Sequence, residues 1–149
     1  MVHPQPILTV PSLLLDNSVV ARIRVPTVAA ALHDLVQSTS LGLSTCLPQR
    51  LEIGVSARSA ADFARQMALL DLQQQLPITS AVEATAATLQ RGLVGRGQHR
   101  GPQLADLILA ALAIEHRATV VHYDSDYDLL SALDPQLDAV WVVGRGTVA

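Results

Sequence analysis

The chain has 149 residues, of which half are apolar and 15% are charged, with a formal net charge of −3. That composition excludes a disordered polymer and is enough for one domain with a real core. The mildly acidic balance weighs against a general nucleic-acid coat protein, which would be basic.

The opening, MVHPQPILTVPSLLLD, lacks the basic start of a secretory leader, and prolines break its apolar run. Ile7–Leu15 reads as a strand interrupted by Pro11, with Ser12–Leu15 the strand proper. Successive apolar residues there suit a strand buried on both faces. It runs into Asp16, and a helix over Asn17–Arg22 follows, capped by Asp16 or Asn17. A second helix spans Thr27–Gln37 and a short strand Leu41–Thr45. Cys46, the one cysteine, leaves no internal disulfide and reads as a small buried side chain in a reducing compartment. Pro48 suits a first helical turn, so Pro48–Ala57 is a helix with Glu52 in its middle. Ser59–Gln74 is another, with Phe63, Met67 and Leu70 on one face as core or dimer interface. Pro77 breaks the chain. Ser80 with Glu83 three residues on has the capping-box pattern and opens a helix to Leu93. Gly95–Pro102 is a glycine-rich basic loop. Leu104–His116 is a strongly apolar helix, Thr119–Tyr123 a buried strand, Ser125–Leu133 a helix and Ala139–Val143 a last strand.

Helices alternating with short apolar strands imply a three-layer α/β/α domain on a mainly parallel sheet. The whole chain, 1–149, reads as a single domain, with residues 1–11 a candidate N-terminal extension. No stretch is long and apolar enough to span a bilayer, so a cytoplasmic protein without membrane contact is expected.

In such sheets sites form beyond the carboxyl ends of the strands. Asp16 follows the first strand; Asp124, Asp126 and Asp128 follow the strand ending His122-Tyr123. Asp106 stands among apolar neighbours in Leu-Ala-Asp-Leu-Ile-Leu-Ala-Ala, and Glu52 in Leu-Glu-Ile-Gly-Val. Singly, Asp106 could serve helix-start electrostatics and Glu52 a solvated face. Together they favour a metal site. Two carboxylates ~4 Å apart repel by about 4 kcal/mol at an effective dielectric near 20, so a convergent set needs a cation or protons. Oxygen-only ligands select Mg²⁺ or Mn²⁺ over zinc. Such a site polarises a phosphoryl oxygen and activates water, which is phosphodiester hydrolysis. A receiver-like signalling domain, the rival with an acidic Mg²⁺ pocket, needs a lysine, and this chain has none.

The segments Asp106-Leu-Ile-Leu-Ala-Ala-Leu-Ala and His122-Tyr-Asp-Ser-Asp-Tyr-Asp128 resemble the C-terminal motif of PIN domains, most of all the VapC toxins of bacterial toxin–antitoxin pairs. Leu14-Leu-Asp-Asn-Ser18 is similar to their opening strand, Cys46–Arg58 to their glutamate helix, and Trp141-Val-Val-Gly-Arg-Gly146 to their last strand. The resemblance implies that Asp16, Glu52, Asp106 and Asp124 bind metal, with Asp126 sharing or replacing Asp124. It implies that Ser18 supports the site. It further implies an Mg²⁺-dependent endoribonuclease acting on structured RNAs such as tRNA or rRNA, a homodimer, and a VapB-like antitoxin as partner. Arg100, in the loop beside the Asp106 helix, is expected to grip RNA phosphate. His99 is expected to have no role, Tyr123 and Tyr127 to pack, His116 to cap its helix electrostatically and His122 to be a core or edge residue of its strand. The alternative is a regulatory protein with weak nuclease activity, acting through antitoxin and operator DNA. The sequence by itself separates RNA from DNA poorly.

Overall fold

A computed structural model describes residues 8–149. The elements in chain order are β1 (Ser12–Leu15), α1 (Asn17–Val20), α2 (Pro26–Thr39), β2 (Leu43–Thr45), α3 (Leu47–Val55), α4 (Ala60–Asp71), β3 (Gln74–Gln75), α5 (Ser80–Gly95), α6 (Leu104–His116), β4 (Ala118–His122), α7 (Asp126–Leu133) and β5 (Asp138–Trp141). The five strands form one sheet in the order β3-β2-β1-β4-β5, with every pairing parallel.

Side chains alternate across the strands, and this period of two builds a core on each face. Leu14 and Val120 point to one side, where they join Leu89, Leu93, Leu109 and Leu112 of α5 and α6 and Leu130 of α7. Leu13, Leu15 and Val121 point to the other, against Val19, Val28 and Leu32 of α1 and α2. Both faces are thus covered, which is why β1 and β4 read as continuous apolar runs. Among the described residues no helix is long and apolar enough to cross a membrane.

The chain leaves β1 toward β2 and β3 on one side, and β4 continues to β5 on the other. The winding direction therefore reverses between β1 and β4. A crevice opens at the carboxyl ends of these two strands.

Several local expectations shift. The predicted helix Ser59–Gln74 stops at Asp71, because Gln74 and Gln75 pair with Ser44 and Thr45 as β3. A glutamine pair carries no apolar period, so this two-residue edge strand left no pattern to read. The cap of α5 is Thr79, whose side chain accepts the Val82 N–H, and not Ser80. Of the candidate extension, residues 1–7 lie outside the described residues, as does Ile7 of the first strand. Residues 8–11 are irregular but attached: the Val10 backbone exchanges two hydrogen bonds with the Gln74 amide, at 2.9 and 3.0 Å.

Candidate active site

Asp16, Asp106, Asp124 and Asp126 gather in the crevice between β1 and β4, and each of Asp16, Asp106 and Asp124 has a local reason for its position. Asp16 caps α1: its Oδ2 accepts the Ser18 N–H at 2.9 Å. Its Oδ1 accepts the phenol hydroxyl of Tyr127 at 2.7 Å. Asp106 sits in the first turn of α6, where Oδ2 accepts the Gln103 N–H at 2.9 Å. The helix-start role of Asp106 is real, but it occupies only one oxygen. The other, Oδ1, lies 3.5 Å from the same Tyr127 hydroxyl. Asp124 Oδ1 accepts the Asp126 N–H at 2.9 Å and so starts α7.

Asp106, Asp124 and Asp126 each offer a carboxylate oxygen within 4.8 Å of the others, the one such group of potential metal ligands among the described residues. Asp16 is joined to this trio through Tyr127. Glu52, half-buried on α3, lies outside the trio. Burial, and then the charge of Asp16, raises its carboxyl above the ordinary range.

The electrostatics follow from burial and crowding. Burial pushes the Asp106 carboxyl up to about 6, with the charges of Asp16, Asp124 and Asp126 adding to it against the Gln103 N–H. Asp126 is raised by burial and then by Asp124. The ion pairs among the described residues are Arg50–Asp71 and Arg65–Asp62, so no guanidinium neutralises the cluster. A donor set of oxygens only, crowded and without a protein cation, suits a hard divalent ion.

The supporting shell was less legible in the sequence. Tyr127 packs in the core, as expected, and is fully buried; its hydroxyl also bridges toward two acids, which packing alone did not foretell. Burial and then the Asp16 and Asp106 charges hold its phenol well above the ordinary tyrosine value, so it remains a donor. Gln49 forms no motif of its own in the sequence. It is buried, bonds Thr45 through its carbonyl, and donates from Nε2 to Leu15 O at 2.7 Å, bracing the end of β1 beside Asp16. A neutral amide one helical turn before an acid on an apolar helix was the signal available. His122 is in the core, as read; its ring packs on Tyr127 and Trp141 at 4.9 and 5.0 Å. Its Nδ1 accepts the Asp124 N–H at 3.2 Å.

Ser18 Oγ accepts the Tyr123 N–H at 2.9 Å, tying α1 to the end of β4. Arg100 is exposed in the loop before α6. That loop borders the acids, since a Cβ on the adjacent Gly101 would lie 3.7 Å from Asp126 Oδ1. Arg22 stacks on Tyr123, 4.8 Å from the ring centroid, and donates to Ser18 O and Ala149 O at 2.8 Å each. His116 stands in the last turn of α6. Its Nε2 donates to Pro77 O at 2.8 Å, and its Nδ1 is hydrogen-bonded with the Thr9 hydroxyl at 3.0 Å. Burial pushes the Cys46 thiol up to about 11, which keeps it inert.

A parallel sheet with helices on both faces, and carboxylates at the reversal point of its strands, defines a class of α/β domain built for a charged ligand. The PIN domain family profile matches residues 14–133, and the chain belongs to this family. Ribonuclease VapC51 of Mycobacterium tuberculosis is 35% identical over 91% of this chain and 96% of its own length. Ribonuclease VapC21 of the same organism is 35% identical over 90% and 96%. Among solved structures, DNA-bound VapBC from Salmonella typhimurium superposes with a TM-score of 0.70 at 14% identity, covering 90% of this chain and all of that one. It shares the fold.

Proposed function

We propose that this chain is a metal-dependent endoribonuclease, the toxin half of a VapBC-like module, with Mg²⁺ or Mn²⁺ as its cofactor. One observation carries the reading. Acids from separate elements (Asp106 on α6, Asp124 and Asp126 at the start of α7) meet within 4.8 Å without a protein counter-charge. The ribonuclease names of relatives matched over nearly their full length support it.

In this reading Asp106, Asp124 and Asp126 hold the cation, with Asp16 and Glu52 completing the acid set from the β1 side. When bound, the cation polarises a phosphoryl oxygen and lowers the pKa of its water. The protein's own part is preorganisation. Tyr127 and Ser18 fix the two oxygens of Asp16, Gln103 fixes one of Asp106, and the Asp126 N–H fixes one of Asp124. Arg100, beside the cluster, contacts the phosphate backbone. The RNA is of the tRNA or rRNA kind.

A VapB-like antitoxin covers exposed apolar surface. Leu47, Leu51 and Val55 repeat every four residues on α3, and all three are exposed. Such a stripe suits a helical partner. A homodimer belongs to the same proposal.

The test is incubation of the purified protein with total RNA and Mg²⁺, with mapping of new 5′ ends. Discrete cuts that vanish with EDTA and in Asp106→Asn are expected; cuts that persist in Asp106→Asn overturn the assignment. The second reading, repression through antitoxin and operator DNA, draws on the DNA-bound Salmonella relative of the same fold. It predicts operator binding by the pair with no metal-dependent cuts.

A further inference from the structure

A second polar feature lies outside the acidic crevice. A pocket of about 420 Å³ is lined by Arg24, Ser56, Arg58, Ser59 and Arg65, with Asp62 at its wall. Three of the chain's ten cationic residues meet here in a protein of net charge −3. Arg65 pairs with Asp62 at 3.3 Å. Asp62 is further occupied by the Arg58 N–H at 2.9 Å and the Gln66 amide at 3.1 Å. Among the described residues the guanidinium groups of Arg24 and Arg58 have no acidic partner. Two unpaired like charges sharing one pocket repel each other, and an anion between them relieves that repulsion. The first turn of α4, a helix of 12 residues, adds its N-terminal dipole on the same wall.

Part of the pocket is built by segments that follow, along the chain, the elements carrying Asp16 and Glu52. Ser56 follows Glu52 by four residues along and just past α3, about 6 Å of helix, and Arg24 follows Asp16 through α1. A polyanion approaching four or five carboxylates is repelled unless a cationic anchor holds its flanking backbone. Planar guanidinium forks match phosphate oxygens two at a time.

We infer that the pocket of Arg24, Arg58 and Arg65 is a backbone-phosphate subsite for the RNA strand flanking the cut. This rests on the nuclease reading above and assigns its substrate a second anchor. An acidic peptide would use the same groups, but continuity with the Asp16 and Glu52 elements favours the nucleic-acid strand.

The test is fluorescence anisotropy of a 5′-fluorescein-labelled single-stranded 12-nucleotide RNA binding to the Asp106→Asn protein over a NaCl series. Arg24→Ala with Arg58→Ala should weaken binding roughly tenfold and make the log–log salt slope shallower by about 1.4, two phosphates at 0.7 each. Arg24→Lys with Arg58→Lys should restore much of the affinity. A matched loss of two charges elsewhere, Arg91→Ala with Arg117→Asn, should leave the slope nearly unchanged; Asn suits the left-handed backbone of Arg117. Unaltered affinity and slope in the Arg24/Arg58 variant overturn the subsite, even where the wild type cuts RNA in the separate cleavage assay. Equal losses in the Arg91/Arg117 control also overturn it, as does weakened antitoxin binding with RNA binding intact.

Discussion

Tyr127 is the side chain on which the arrangement of acids turns. Its hydroxyl donates to Asp16 and lies near Asp106, so one phenol from α7 links acids delivered by β1 and α6. A hydrogen bond to a charged group contributes about 1.5–3 kcal/mol. Tyr127→Phe should therefore fold normally and lower cleavage on the order of tenfold or more, with a changed half-saturating Mg²⁺ concentration; a metal titration of the cleavage rate checks it. Asp106→Asn should do two opposite things. Loss of the crowded charge should raise the melting temperature in EDTA, since burial and three neighbouring acids disfavour the ionised carboxyl. Loss of a ligand should remove at least about 100-fold in activity and abolish the stabilisation that Mg²⁺ confers. Asp106, Asp124 and Asp126, which meet, stand out in the sequence because a carboxylate in an apolar helix or directly after a buried strand needs a reason; that Glu52 lies outside their group does not. Tyr127 and Gln49 were not legible in this role. An aromatic and a neutral amide both have ordinary places in a core, and only the three-dimensional meeting shows where their polar atoms point.

The elements tell a similar story. Strands β1, β2, β4 and β5 could be read from apolar runs bounded by acids, prolines and turns, to within one or two residues. β3 could not, because its pairing is an edge contact of two glutamines and carries no side-chain pattern. The strand order could not be read either; it depends on which crossovers pack, and it decides that β1 and β4 are neighbours and that the Asp16 N–H donates to Val121 O at 2.9 Å. Helix α6 is the element most committed to the core: Leu107, Leu109, Ala110, Ala111, Leu112 and Ala113 are all buried. Leu112→Ala should cost about 2–5 kcal/mol by cavity formation, seen as a lower urea midpoint with an unchanged m-value. On α3 the stripe of Leu47, Leu51 and Val55 faces outward. Leu51→Asp should leave stability and RNA cleavage near wild type and weaken antitoxin capture on the order of tenfold or more, by placing a charge in an apolar contact. Binding measured by calorimetry distinguishes this from a stripe without a partner.

For the molecule as a whole, charge separation is the organising fact. An uncompensated acidic crevice and a cationic pocket share a chain of net charge −3. The crevice couples stability to pH with a definite sign. The Asp106 carboxyl in the fold sits at about 6, above its ordinary 3.8. Its ionisation therefore penalises the metal-free fold above pH ~6, and the penalty fades as pH falls toward 4. A divalent cation offsets that penalty only where the acids are ionised. The rise in melting temperature on adding Mg²⁺ should accordingly be larger at pH 7.5 than at pH 5.5, measured by scanning calorimetry.

Anomalous diffraction from crystals grown with Mn²⁺ bears on the metal site with fewest intermediates. A peak within about 2.0–2.4 Å of carboxylate oxygens of Asp106 and of Asp124 or Asp126 is expected. Crystals that bind Mn²⁺ elsewhere while leaving these oxygens without a peak would show that the acids do not serve one cation.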